Sequence, residues 1–127
     1  MGRLAGKIAI VVGAGQTPGD TIGNGRATAI RFAEEGATVL LVDRDLESVE
    51  ETLSLVEARG GRGSCFVTDV TREAQCKAIT ATCLERYDRV DVLHNNVGIG
   101  TGDRGPTHIT EDVWDHIFAT NLKSVMF

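Results

Sequence analysis

Val11-Val12-Gly13-Ala14-Gly15, continued by Ile22-Gly23-Asn24-Gly25-Arg26, decides the fold of this chain. The run follows an apolar strand, Lys7 to Val12, and opens a helix from Gly25 to Glu35. Seventeen residues beyond Gly25 a second apolar strand, Thr38 to Val42, ends, and Asp43 follows it. Strand, glycine loop, helix, strand and acid in that order form a βαβ unit suited to a dinucleotide. The glycines Gly13, Gly15, Gly23 and Gly25 let backbone N–H groups approach a pyrophosphate, with Asn24 between the last two. The helix start adds unpaired donors and a favourable dipole.

The strict Gly-x-Gly-x-x-Gly spacing fails, because Pro18 stands where the third glycine falls. A plain turn is also rich in glycine. What separates the two readings is the placement between a buried strand and a helix. No Gly-Lys-Ser/Thr occurs, which excludes a nucleoside-triphosphate P-loop. Asp20 is expected to point to solvent or to cap a turn rather than meet a phosphate.

Asp43 can accept hydrogen bonds from the ribose hydroxyls of an adenosine and repels a 2′-phosphate, which favours NAD over NADP. Arg44 pulls the other way, since a guanidinium there pairs with a 2′-phosphate. The alternative is that Asp43 or Asp45 only caps the next helix.

Further along, strand and helix signals keep alternating. A helix from about Leu46 to Arg59 carries Leu46, Val49, Leu53 and Val56 on one face. A third strand runs from Gly63 to Thr68, and Thr71 is expected to cap the helix that follows, with Cys76, Ile79, Cys83 and Tyr87 inward. A fourth strand runs from Val90 to His94, before a Gly-rich loop from Gly98 to Pro106. Thr110 caps a last helix bearing Trp114, Ile117, Phe118, Leu122 and Val125 as an apolar stripe. Each crossover is long enough for a right-handed parallel connection. The expected architecture is α/β, a doubly wound, Rossmann-like parallel sheet ordered 3-2-1-4.

Two more strand ends carry candidate contacts. Asp69 and Val70 follow the third strand, where the carboxylate can meet an adenine amino group or simply serve a turn. Asn95, Asn96, Val97 and Gly98 follow the fourth, where the amides tie strands together or meet the nucleoside and Gly98 leaves room for it. His94 reads as a satisfied core or edge histidine. Asn121 lies on the apolar stripe of the last helix, where an amide needs a partner such as a water or a backbone carbonyl.

Composition narrows the class. The 127 residues carry a net charge of −5 with no basic tract, so nucleic acid is not the expected partner. No apolar run approaches membrane-spanning length. Three spaced cysteines, Cys65, Cys76 and Cys83, read as reduced thiols in a cytoplasm, Cys76 and Cys83 packed in the core.

These motifs together resemble the short-chain dehydrogenase/reductase family over nearly all of the chain, matching the first half of the usual family domain. Its Thr-Gly-x-x-x-Gly-x-Gly loop resembles Val12-Gly13 followed by Gly23-Asn24-Gly25. Val12 replaces the usual Thr, Asn24 replaces the common Ile, and the segment between Gly13 and Gly23 is six residues longer. Its Asn-Asn-Ala-Gly resembles Asn95-Asn96-Val97-Gly98, its adenine-contacting pair resembles Asp69-Val70, and its catalytic-tetrad Asn resembles Asn121. The resemblance implies hydride transfer between a nicotinamide and a small alcohol or ketone, and a homo-oligomer packed through the last helix. It also implies a Tyr and a Lys four residues later that move the hydroxyl proton. The only tyrosine, Tyr87, has no such lysine and reads as helix core. Residues 1–127 are therefore expected to be the N-terminal cofactor half of a single domain, with strand four and the last stripe left open.

Two other classes compete. A non-catalytic dinucleotide-binding module would share every feature up to Phe127. A methyltransferase-like adenosyl binder would share the glycine loop and the acid, but not Asn-Asn-Val-Gly at the fourth strand.

Overall fold

A computed structural model describes residues 2–127. Strands β1 (Ile8–Val12), β2 (Thr38–Asp43), β3 (Arg62–Val67) and β4 (Val92–Asn95) alternate with helices α1 (Asn24–Glu34), α2 (Leu46–Ala58) and α3 (Glu73–Tyr87). Helix α4 (Glu111–Phe118) runs through a π-helical turn, Ala119–Lys123, into Ser124–Met126. The strands form one parallel sheet in the order β3-β2-β1-β4, as expected from the sequence.

The two inner strands are apolar at nearly every position because both faces are covered. Ala9, Val11, Val39 and Leu41 face α1 and α2, where they meet Ala29, Ile30, Ala33, Val49 and Val56. Ile10, Val12, Leu40 and Val42 face α3, where they meet Ile79 and Cys83. Successive side chains point to opposite faces, so the strand sequence supplies both halves of the core. Burial also raises the thiol pKa values of Cys76 and Cys83, which suits packing rather than reactivity.

Some expectations shift. Leu46 is 52% exposed, because it stands at the start of α2, and Thr52 takes a buried place with Val49 and Val56. Thr71 does not cap α3: Arg72 holds that position without a side-chain cap bond, and the Thr71 hydroxyl donates to Asp69 instead. Thr110 occupies the N-cap of α4, but its side chain bonds no backbone N–H there. The fourth strand begins at Val92, leaving Val90 before it and Leu93 exposed. His94 is not satisfied: its ring meets Phe32 edge-on, while its buried Nε2 has no hydrogen-bond partner among the described residues. Tyr87 is half-buried and shares a hydrogen bond with Ser64. The apolar stripe of α4 forms, yet Trp114, Phe118 and Leu122 remain exposed.

The burial pattern separates two leucines of equal size. Leu40→Ala is expected to cost about 2–5 kcal/mol by urea denaturation, whereas Leu46→Ala costs about 0.5 kcal/mol or less. Equal losses would contradict the described core.

Candidate cofactor-binding site

Strand order reverses between β1 and β4, because β2 lies on one side of β1 and β4 on the other. In open α/β sheets that switch point, at the carboxyl ends of the strands, is where ligands bind. A crevice of about 730 Å³ opens there. Gly13, Gly15, Gly23, Asn24 and Gly25 line it from the loop after β1. Asp43 and Arg44 line it after β2, Asp69 and Val70 after β3, and Asn96, Val97 and Gly98 after β4. Every cofactor contact read from the sequence thus falls on one crevice.

Two glycines make this convergence possible. Gly13 has φ +85°, and a Cβ there would lie 3.0 Å from the backbone of Asn96 and Val97. A Cβ on Gly25 would sit 1.8 Å from the Gly13 carbonyl oxygen, so α1 can only start this close to β1 without a side chain. The same seating brings the Asn96 amide to 3.5 Å from that oxygen. The first-turn N–H groups of α1 then open towards the crevice.

Asp43 is held in place by the backbone around it. Its Oδ2 accepts from Gly15 N–H at 2.9 Å, and its Oδ1 accepts from the N–H of Arg44 at 2.8 Å and of Asp45 at 3.2 Å. A carboxylate has room for about four donors, so capacity remains for a hydroxyl. The capping question resolves onto the neighbour: Asp45 is the N-cap of α2 and accepts from Ser48 N–H. Arg44 is exposed at the rim. Asp69 accepts from the hydroxyl and the N–H of Thr71, which lowers its carboxyl pKa below the ordinary value and keeps it charged. Asp20 is exposed.

Sequence reasoning missed the brace behind the loop. Arg26 is buried, and its guanidinium donates to the Thr52 hydroxyl at 2.9 Å, to the Ser48 carbonyl at 3.1 Å and to Glu51 at 3.1 Å. Thr52 in turn donates to the Ala14 carbonyl at 2.7 Å. Ser48 accepts from Gln16 N–H at 2.6 Å and donates to its carbonyl at 3.0 Å, while Gln16 Oε1 accepts from Gly23 N–H. The signal was present: Arg26 precedes Ala29 and Ile30 by three and four residues, which puts it on the buried face of α1. A buried cation needs partners, and α2 supplies them.

Asn121 does not line the crevice. It grips a residue that does: Ile99 N–H donates to Asn121 Oδ1 at 2.8 Å, and Asn121 Nδ2 donates to the Ile99 carbonyl at 2.9 Å. The backbone carbonyl expected from the sequence is therefore its partner. The neighbouring Thr120 is buried beside the crevice, its hydroxyl unpartnered among the described residues.

A doubly wound parallel sheet with this glycine-lined switch point defines the Rossmann-like class of α/β proteins. The chain belongs to the short-chain dehydrogenase family, whose model matches residues 7–127. It is 38% identical over 127 residues to a 3beta-hydroxysteroid dehydrogenase of Mediterraneibacter gnavus, covering 100% of this chain and 44% of that protein. Among solved structures it resembles a short-chain dehydrogenase/reductase of Burkholderia xenovorans, with 46% identity and a TM-score of 0.92 over 99% of this chain and 47% of the other. It also resembles carveol dehydrogenase of Mycobacterium avium in complex with NAD, with 30% identity and a TM-score of 0.88 over 99% of this chain and 48% of that one. The chain spans about half the length of the relatives it matches.

Replacing Asn121 by Ala removes two hydrogen bonds to Ile99, each worth about 1 kcal/mol. Hydrogen exchange at the Ile99 amide is expected to accelerate about tenfold or more. Unchanged protection would show that Asn121 does not hold this segment.

Proposed function

We propose that the polypeptide carrying this chain is an NAD-dependent oxidoreductase acting on a small secondary alcohol or ketone. One observation carries the reading: the glycine loop, Asp43, Asp69 and Asn96 meet on a single crevice. The residues suit a dinucleotide. The start of α1 offers N–H donors to a pyrophosphate, and the missing side chains of Gly13 and Gly25 let that helix start seat close against β1 and Asn96. Asp43 takes the adenosine ribose hydroxyls, with Arg44 at its edge, and Asp69 with Val70 takes the adenine. Val97 and Gly98 border the nicotinamide half. Bound there, the nicotinamide supplies a hydride donor or acceptor.

Asn121 is assigned as the catalytic-tetrad asparagine, with its amide fixed on the Ile99 backbone so that the crevice wall keeps its shape at the reacting end. Tyr87 takes no part: it is bonded to Ser64 and does not line the crevice. The family's Tyr and Lys are expected elsewhere in the intact polypeptide. The exposed Trp114, Phe118 and Leu122 favour a homo-oligomer packed through α4. The three free thiols favour a reducing compartment such as the cytoplasm.

The intact polypeptide is expected to turn over a secondary alcohol or ketone with NAD(H), followed by nicotinamide absorbance. Nucleotide binding without turnover would identify a dinucleotide-binding module instead. By titration, NADH should bind about tenfold or more tightly than NADPH, because Asp43 repels a 2′-phosphate. Asp43→Ala should narrow that gap. Equal wild-type affinities would contradict the assignment of Asp43.

A further inference from the structure

The segment between Gly13 and Gly23 is longer than the family pattern, and one of its residues is fixed by both its backbone and its side chain. The Gln16 backbone exchanges two hydrogen bonds with the Ser48 hydroxyl. Its side-chain oxygen accepts from Gly23 N–H at 2.8 Å, at the N-cap of α1. An N–H can bond only the oxygen of a carboxamide, so the orientation of the amide is decided. The NH₂ group therefore points away from Gly23. Gln16 lines the crevice, and no described residue accepts a hydrogen bond from its Nε2.

The surroundings explain the value of such a donor. The buried cation nearest in the fold, Arg26, is already committed to Thr52, Ser48 and Glu51. Asp43 and Asp45 add negative charge along the same wall. Arg44 lines the crevice at the Asp43 edge, so at the start of α1 a pyrophosphate meets neutral donors, the Gln16 NH₂ beside the N–H groups of the helix.

We propose that Gln16 is a pyrophosphate-binding residue, its carboxamide bridging Gly23 N–H on one side and a phosphate oxygen on the other. This rests on the dinucleotide reading and adds a contact outside the glycine pattern. Gln16→Glu isolates the outward contact. It keeps an oxygen for Gly23 N–H but replaces the NH₂ with a second carboxylate oxygen. Gln16→Met keeps the length and loses both polar contacts.

The test is calorimetric titration of the intact polypeptide with NADH, ADP and adenosine, with thermal melting of each ligand-free variant. Gln16→Glu is expected to melt close to wild type. It should weaken NADH and ADP by about tenfold or more and change adenosine by about twofold or less. Gln16→Met should show the same pattern with a smaller loss. Unchanged NADH affinity in both variants overturns the proposal. So does an equal loss for adenosine, which would confine Gln16 to shaping the loop. Wild-type protein that binds adenosine but neither NADH nor ADP would instead overturn the dinucleotide reading itself, and this contact with it.

Discussion

The close seating of α1 on the end of β1 is the constraint on which the rest depends. A single methyl group on Gly25 would collide with the Gly13 carbonyl, so the absence of that atom fixes where the helix starts. Strand β1 lies between β2 and β4, and its end forms the floor of the crevice. In-register pairing aligns Val12 with Val42 and with Asn95, which brings the loops after those strands to the same level. Gly13 N–H bonds the Val42 carbonyl, and Asn96 N–H bonds the Val12 carbonyl. Backbone geometry alone therefore delivers Asp43 and Asn96 to the start of α1.

Side chains then stiffen what the glycines leave loose. The loop after β1 gains conformational freedom from its glycines and would lose it at a cost on binding. Helix α2 offsets this from behind. Thr52 holds Ala14, and Ser48 holds Gln16. Arg26 ties α1 to both. The donors are prearranged, which lowers the ordering penalty of association.

Most of the architecture was legible because parallel strands covered on both faces read as continuous apolar runs, and β1 and the Val39–Val42 stretch of β2 do so. The crevice was legible for the same reason, since strand ends are where glycines, acids and amides interrupt those runs. Less visible were features set by competition between neighbours. Thr71 had the chemistry of a cap, but Asp69 claimed its hydroxyl. Leu46 fitted the apolar face of α2, yet the face that packs runs through Val49, Thr52 and Val56. Asn121 was legible as an amide in need of a backbone partner, but that Ile99 would supply both its N–H and its carbonyl was not. The stripe on α4 was legible as amphipathic, and its Trp114 and Phe118 stand exposed.

The relatives extend to about twice the length of this chain. We propose that one crevice, floored by the end of β1, receives the adenosine diphosphate part of a nicotinamide cofactor. Amide chemical-shift mapping of the protein titrated with ADP-ribose tests it most directly. Saturable shifts concentrated at Gly13, Gly23, Asp43, Asp69 and Asn96 are expected. Shifts confined to the Trp114 face, or scattered without a common rim, would contradict it.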